Sequence, residues 1–582
     1  MSAVPKPLSF VLSAALAATL SSPALCQLPI GDVANAQAQA VKALAQWVAD
    51  YEGGRFAPHG SLRSNVRLQP RYTHAARLGG FLPKHRDRLT HLDILQKLLL
   101  FSEKNPSPQL CDAVLGVASA GLDRSLLDRA SHELREAAHW TLMGVKDQGI
   151  WFQILRAAAG DQVPVLAAER PRKQADGGVG VGVARRVAAL RLLGQRGLPI
   201  FRSTLEGALT DPDPRVRLAA AESIRPPWKG ATVLRVASVV EGERHPVVSQ
   251  ALVRLLFSML RRPPEDLSSA QKQQVVRRSF SLFGKSGWRT DMDLLELVEK
   301  WPSKAAIPKL IEALDLERQS ADELVSAVNK RASPLLRQRA GVLLKAMTGA
   351  LIPLHDVAGW RKFWAAEKGN IVVPEQLHTS RPAHTQVAFF GVPVTGTSIG
   401  FLIDTSGSMD SAPATHGPET GPRRLRAPRT RLEAAKAQLA LAAQAMAPES
   451  QYFVMTFAEE ARCWTQTGIK PGRRATRGVT GLMSRLNAHG GTNLYAGLVT
   501  SLEMEGRGFA DAELPKIDEL FVLSDGQPTT GEVRDTETLL EMVRRANKYA
   551  KVRINTVFTG TGPGSELLKR LAEENGGVFV QR

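Results

Sequence analysis

One stretch near residue 400 constrains the fold of this chain more than any other. The apolar residues 399–403 run directly into Asp404, and Ser406 and Ser408 follow at alternate positions. A short apolar run bounded by turn residues is typical of a buried strand of a parallel sheet, so we expect Asp404 at the strand's carboxyl end and both serines in the next loop. Open α/β sheets bind ligands at this edge. One carboxylate and two hydroxyls in a small volume suit a hard divalent cation.

Strand and helix signals alternate from this stretch to residue 582. This alternation indicates a mainly parallel sheet with helices on both faces, an α/β doubly wound fold. The predicted helices span 432–447, 477–487, 494–504, 536–549 and 565–574. The predicted strands that follow the first one span 451–457, 520–523, 553–558 and 578–580, with a short segment around Cys463.

Two later loops also carry side-chain oxygens that could bind a cation. Residues 489–494 place Thr492 in a glycine-rich turn before a helix, and residues 521–527 end an apolar strand near Asp525. Because the carboxyl ends of parallel strands meet at one edge of a sheet, we expect both side chains to lie near Asp404.

The residues from 398 to the end resemble the von Willebrand factor type A family. All five positions of its metal-ion-dependent adhesion site are present in the family's order, in an Asp-x-Ser-x-Ser segment, a Gly-Gly-Thr-Asn segment and a Ser-Asp-Gly segment. These positions are Asp404, Ser406, Ser408, Thr492 and Asp525.

The resemblance implies a site for Mg²⁺ or Mn²⁺. In the family, the two serines and the threonine ligate the cation, and the two aspartates bind it directly or through water. An unfilled position then accepts a carboxylate, most often an Asp or Glu side chain of a protein partner. A metal site that only orders the loops is the alternative.

The segment 410–430 departs from the family pattern, because it is longer than the usual connection. It contains four prolines and the basic residues Arg423, Arg424, Arg426 and Arg429. A solvated insertion is the simpler interpretation, and a cover or an attractive surface at the metal edge is the other.

Residues 27–369 are rich in Ala, Leu and Arg, with apolar positions at helical spacing, and predict an all-α region. Residues 213–224 can be laid over residues 245–256, which places Pro214 and Pro246 in register 32 positions apart. Helix pairs at such a period stack into a solenoid. The pattern around Asp213 resembles the HEAT-repeat family, most clearly within residues 130–260, and a plain helical bundle is the alternative.

Three smaller features of this half have structural interpretations. We expect Asp213 to cap a helix that begins at Pro214, and not to bind a metal. We expect Trp140 to anchor the core. The glycine-rich residues 177–182 are a connector and not a phosphate loop, because no Gly-Lys-Ser/Thr follows.

A linker is predicted at residues 370–395, before the type A domain at 396–582. Extended segments alternate there with polar residues. The pair Phe389 and Phe390 is expected to dock two domains against each other or to add an edge strand.

The first 26 residues predict a secretory signal peptide. Lys6 precedes an apolar stretch at 8–20, which is too short for a membrane span, and Ala24 and Cys26 provide small residues at a cleavage site. A lipoprotein with Cys26 acylated is the other possibility, but Pro23 and Leu25 do not fit it. With no later apolar run of about 18 residues, we expect an exported chain in the periplasm, cell envelope or extracellular space. Cys111 and Cys463 are then expected to be unpaired thiols.

Most of the positive charge lies before the type A domain. The formal net charge is +19, and residues 396–582 contribute only +2 of it. A basic surface attracts polyanions, so an anionic envelope polymer is a possible partner of the helical region. A solvated basic surface without such a partner is the simpler interpretation. Without aromatic residues interleaved in a basic motif, nucleic acid is not expected.

These features favour an exported binding protein that captures an acidic partner group through a divalent cation. The alternative is a scaffold in which the helical repeats bind partners and the metal is structural. An enzyme is not expected, because the sequence supplies neither a general base nor a substrate pocket for metal-assisted hydrolysis. No catalytic residue is therefore predicted.

Overall fold

The computed structural model describes most of the chain beyond residue 101. The described residues are parts of 37–49, 99, 102–120, 129–160, 181–315, 334–378, 387–412, 428–446, 450–465, 467–504, 515–560, 562 and 564–582. The predicted signal peptide at 1–26 lies outside them, as do residues 177–180 of the glycine-rich connector and residues 413–427 of the insertion.

The chain forms two compact units, residues 1–239 with 508–510 and residues 240–507 with 511–582. The described part of the first unit is helical, as the sequence predicts. Its helices are α1 (Pro108–Ser119), α2 (Arg129–Gly144), α3 (Gln148–Ala159), α4 (Val181–Arg196), α5 (Arg202–Ala208), α6 (Pro214–Ser223) and α7 (Gly230–Gly242), whose last residues belong to the second unit.

Local capping explains where these helices begin. Asp213 caps α6: its Oδ1 accepts a hydrogen bond of 2.9 Å from the Arg215 amide, and Pro214 lies in the first turn. The predicted cap is therefore confirmed. Helix α4 packs so closely on α6 that a Cβ placed on Gly194 would lie 2.6 Å from the Ser223 carbonyl oxygen. Trp140 does not anchor the core as expected, since 42% of its surface is exposed. The HEAT type of the repeats stays a prediction.

The second unit begins with further helices and continues into a sheet. Its helices before the sheet are α8 (Pro246–Arg261), α9 (Ser269–Ser279), α10 (Trp288–Lys300), α11 (Ile307–Ala313), α12 (Pro334–Thr348) and α13 (Val357–Glu367). Trp360 in α13 is fully buried, and its Nε1 donates to the Pro353 carbonyl at 3.1 Å. The described helices include none that is long and apolar enough to cross a membrane.

The carboxyl-terminal part is an α/β fold, as predicted. A small hairpin, β1 (Ala388–Phe389) and β2 (Val392–Pro393), precedes it. The sheet strands are β3 (Ser398–Asp404), β4 (Gln451–Phe457), β5 (Ala461–Cys463), β6 (Glu519–Ser524), β7 (Arg553–Phe558) and β8 (Phe579–Gln581). The helices among them are α14 (Arg431–Ala445), α15 (Arg473–Ser484), α16 (Leu494–Ser501), α17 (Thr536–Asn547) and α18 (Gly564–Glu574).

The strand order of this sheet is β5-β4-β3-β6-β7-β8, and every neighbouring pair is parallel except β4 with β5. From β3 the chain first builds the sheet toward β5 and then crosses to the other side of β3 to form β6. The order therefore reverses between β3 and β6, and the crevice at their carboxyl ends is where open α/β sheets bind ligands.

The central strands of the sheet are rich in apolar residues because their side chains are buried in its core. The rings of Phe401 in β3 and Phe521 in β6 stack with centroids 5.5 Å apart, and Phe389 packs against both. Phe389 is fully buried in this cluster. It therefore joins the core of the domain, and its own short strand pairs with β2 and not with the edge of the large sheet.

Helix α10 binds the opposite, amino-terminal ends of the sheet strands within the same unit. The buried Arg289 guanidinium donates to the carbonyls of Pro515 at 3.0 Å and Ile517 at 3.4 Å, just before β6. It also donates to the carbonyl of Ala550, which precedes β7. The predicted domain boundaries stay predictions, but these contacts join helix α10 to the sheet.

Candidate metal centre

Asp404 is the last residue of β3 and is fully buried. Its Oδ1 accepts a hydrogen bond of 2.8 Å from the Ser406 amide, and its Oδ2 accepts one of 2.6 Å from the Ser524 hydroxyl. Burial raises the pKa of the Asp404 carboxyl to about 6. The hydrogen bonds from Ser406 and Ser524 lower this pKa, and the negative charge of Asp525 raises it further. An uncompensated negative charge is costly at this position.

Ser406 directly precedes a single turn of 3₁₀ helix that spans Gly407–Asp410, and Ser408 lies within this turn. The turn brings the hydroxyl oxygens of Ser406 and Ser408 to 3.1 Å from each other. The Ser408 hydroxyl also donates to Asp525 Oδ1 at 2.7 Å. Hydrogen bonds therefore join four predicted site residues, Asp404, Ser406, Ser408 and Asp525, into one chain across the ends of β3 and β6.

Thr492 is connected to this group through the backbone of its loop. The Gly407 amide donates to the Gly490 carbonyl at 3.0 Å, and the His489 amide donates to the Thr405 carbonyl at 2.8 Å. On its other side, the Thr492 amide donates to the Thr529 hydroxyl at 2.8 Å. Gly490 has a φ of +70°, which suits glycine in this turn. The three loops are thus held together at one edge, with Thr492 buried between its neighbours.

Arg431 completes the surroundings of Asp525. It is the first residue of α14, and its guanidinium forms an ion pair with Asp525 Oδ2. The same nitrogen, Nη1, lies 3.4 Å from the Ser408 carbonyl oxygen. The Asp525 side chain has no exposed surface, and that of Arg431 is 15% exposed. Within the described structure, an arginine therefore contacts a predicted cation ligand.

The amino-acid pattern of this edge matches a known family. Residues 399–527 match the family model described as the von Willebrand factor type A domain. This chain contains a von Willebrand factor type A domain. The match runs from β3 to the start of the loop after β6, and so includes all five predicted site residues.

One curated relative is similar to about a third of this chain. The inter alpha-trypsin inhibitor heavy chain 4 of Mus musculus is 25% identical over 191 residues, which are 32% of this chain and 18% of that protein. The chain thus spans less than a fifth of that relative's length.

Two solved structures are also similar. A von Willebrand factor type A protein from Catenulispora acidiphila has 20% sequence identity and a TM-score of 0.23, over 32% of this chain and 38% of that chain. A point mutant of the PilB minor pilin from Streptococcus sanguinis has 17% identity and a TM-score of 0.22, over 32% of this chain and 57% of its own. The presence of the type A domain indicates a role in protein–protein interaction or adhesion in general.

Two oxygen–oxygen distances at this edge of the sheet are compatible with the ligands of a small divalent cation. Octahedral Mg²⁺ ligands at about 2.0–2.1 Å from the metal lie about 2.9 Å from each other on adjacent vertices. The Ser406 and Ser408 hydroxyl oxygens are 3.1 Å apart, and Ser408 Oγ is 2.7 Å from Asp525 Oδ1. Within the described ranges, no three His, Cys, Asp or Glu residues form a group that could hold a metal. A cation at this edge would therefore need oxygen ligands beyond its carboxylates, and the hydroxyls of Ser406 and Ser408 are candidates.

Sequence reasoning did not single out three side chains of this type A edge. Arg431 lies at the start of a predicted helix, and nothing in its spacing indicates a partner in the loop after β6. Ser524 precedes Asp525 in the Ser-Asp-Gly segment, so its contact with Asp404 could have been found from the adjacency of the two strands. Thr529 lies in a threonine pair after that segment and carries no recognisable pattern.

Proposed function

We propose that the type A domain binds Mg²⁺ or Mn²⁺ and uses it to capture an acidic group of a protein partner. The proposed ligands are Asp404, Ser406, Ser408, Thr492 and Asp525. The supporting observation is the chain of hydrogen bonds that brings two hydroxyls and two carboxylates together at the crevice between β3 and β6.

The proposed metal ligands differ in charge. Ser406, Ser408 and Thr492 offer neutral oxygens, so the ligand set contains only two negative charges, those of Asp404 and Asp525. A bound divalent cation supplies an electrophilic position that a partner carboxylate can fill. The Ser524 hydroxyl and the Ser406 amide orient Asp404, and the hydrogen bond from Ser408 orients Asp525.

Export is part of this proposal and rests on the apolar stretch at 8–20 and the cleavage pattern that ends at Cys26. An exported protein meets partners in the periplasm, the cell envelope or outside the cell. The basic composition of the chain before residue 396 supports a second, weaker contact with an anionic envelope polymer.

Calorimetric titration of MgCl₂ into the full chain tests the metal site. We expect saturable binding with one cation for each chain, and its loss in Asp404→Asn, which removes one charge with little change in shape. Asp410→Asn is the matched control, because Asp410 is an exposed carboxylate on the same loop. Wild-type binding by Asp404→Asn would show that the cation binds elsewhere.

The capture step needs a carboxylate probe. Mn²⁺ bound to the full chain relaxes water protons, and acetate that enters the coordination sphere lowers this relaxation by displacing water. We expect acetate to lower the relaxation, and acetamide, its neutral isostere, to leave it unchanged. If neither molecule changes the relaxation, the cation has only a structural role. The alternative, in which the helical region binds the partners, is then favoured.

A further inference from the structure

Arg431 is a cation of this chain that lies at the proposed metal centre. Its Nη1 forms an ion pair with Asp525 Oδ2 and faces the carbonyl of Ser408. Both residues that it contacts belong to the proposed ligand set. No other ion pair of the described residues involves any of the five proposed ligands.

The pair is buried, and this makes its charge balance important. Asp525 has no exposed side-chain surface, so its carboxylate needs a compensating cation when no metal is bound. The Ser408 hydroxyl reaches Oδ1 of this carboxylate, and Arg431 reaches Oδ2. Arg431 therefore supplies the positive charge that a divalent cation would otherwise supply.

The guanidinium is only partly satisfied in this arrangement. Among the described residues, Arg431 Nε is buried and has no hydrogen-bond partner. The contacts of the side chain with Ser408 and Asp525 both use Nη1. An arginine that binds a carboxylate most strongly uses two parallel hydrogen bonds. The pair with Asp525 lacks this bidentate form, so the loss of the contact costs less than the loss of a fully bonded arginine.

We propose that Arg431 is an internal counter-cation of the metal centre, which neutralises Asp525 in the cation-free protein and lowers the affinity of the site for divalent cations. This inference rests on the metal site proposed above. Metal and guanidinium compete for the same buried carboxylate, and like charges that remain close to each other repel. The occupancy of the site then depends on the position of α14, because Arg431 is the first residue of this helix and directly follows the insertion 410–430.

Magnesium titration of full-length variants tests this role. Arg431→Gln keeps a hydrogen-bond donor on a shorter side chain and removes the charge, so its Kd for Mg²⁺ should fall roughly tenfold or more. Arg429→Gln is the matched control: it removes the same charge two positions earlier from an exposed residue, and its Kd should stay within about twofold of wild type. Arg431→Lys keeps the charge and should bind Mg²⁺ much as the wild type does.

Thermal unfolding provides a second measurement that does not depend on binding of a partner. In EDTA, Arg431→Gln should unfold at a lower temperature than wild type, since Asp525 is left buried without its cation. In excess MgCl₂ the difference should shrink or reverse. A Mg²⁺ affinity of Arg431→Gln that equals or falls below that of wild type, with circular dichroism unchanged, overturns the inference.

The outcomes separate this inference from the proposed function. Equal Mg²⁺ binding by wild type and Arg431→Gln supports the proposed metal site and contradicts a competition between Arg431 and the metal. Binding by Arg431→Gln alone supports the inference and shows that the arginine blocks the site. Binding by none of the variants, Arg431→Gln included, overturns both.

Discussion

The Ser408 hydroxyl donates a hydrogen bond of 2.7 Å to Asp525, a residue 117 positions later in the chain. This bond joins the loop after β3 to the loop after β6 and crosses the point at which the strand order of the sheet reverses. A ligand at this crevice can therefore contact segments that are far apart in sequence.

Replacement of Ser408 tests the hydroxyl ligands directly. Ser408→Ala removes one proposed ligand from an exposed position, so we expect Mg²⁺ affinity to fall about tenfold or more, with a loss of stability in EDTA of only about 1 kcal/mol. Calorimetric titration and urea unfolding measure the two quantities. Ser411→Ala is the control, because Ser411 is exposed and lies outside the ligand set. Undiminished Mg²⁺ binding by Ser408→Ala would exclude this serine as a ligand.

Tyr452 should tolerate the loss of its hydroxyl. The side chain is fully buried in β4, its Oη has no hydrogen-bond partner among the described residues, and burial raises its pKa to about 12. Tyr452→Phe removes a desolvated polar group, so we expect the free energy of unfolding to stay the same or rise by about 0.5–1 kcal/mol.

A neighbouring hydroxyl in β4 is the contrasting case for Tyr452. The Thr456 Oγ1 accepts a hydrogen bond of 2.8 Å from Trp464 Nε1. Thr456→Val should therefore lower the free energy of unfolding by about 1–2 kcal/mol in the same urea experiment. A clear loss of stability in Tyr452→Phe would mean that the phenol has a partner, and would contradict the prediction.

Arg289 should be needed for the stability of the second unit. Its guanidinium donates to three carbonyls at the amino-terminal ends of β6 and β7 and is only 5% exposed. Arg289→Met keeps an apolar stem but leaves these carbonyls without their donor. We expect a loss of about 2–4 kcal/mol, measured by urea unfolding monitored in the type A domain.

The exposed Arg277 in α9 provides the matched control for Arg289. Arg277→Met removes the same charge from the surface and should change stability by less than about 0.5 kcal/mol. Equal stability of the two variants would show that α10 does not support the sheet.

Cys111 should be inert toward alkylating reagents in the native protein. It is buried in α1, and burial raises the pKa of its thiol to about 12. The reactive species is the thiolate, so iodoacetamide at pH 8 should leave Cys111 unmodified until the first unit unfolds. Peptide mapping by mass spectrometry measures the modification, and the same reaction in urea is the control. Rapid native labelling of Cys111 would mean that α1 opens readily.

Much of the type A fold follows from local pattern. The strands predicted at 451–457 and 553–558 have these same bounds in the structure, and Asp404 ends β3 as expected. Short runs rich in apolar and β-branched residues, bounded by turn residues, favour a buried strand. The order of the loops and their oxygen-bearing residues also follow from the sequence, because each lies next to a strand end that the pattern marks.

The sequence by itself thus determined which side chains lie at the carboxyl edge of the sheet, beginning with Asp404. Only the tertiary structure decided that Ser408 bonds to Asp525, that Arg431 pairs with the same carboxylate, and that Arg289 binds the opposite edge. The physical reason is that hydrophobic periodicity depends on near neighbours, whereas a specific ion pair or hydrogen bond depends on strand order, register and the residue at which a helix begins. The oxygen-bearing residues of the loop after β3 can therefore be recognised in the sequence. The position of the Arg431 guanidinium beside them follows only from the folded structure, because it lies on helix α14.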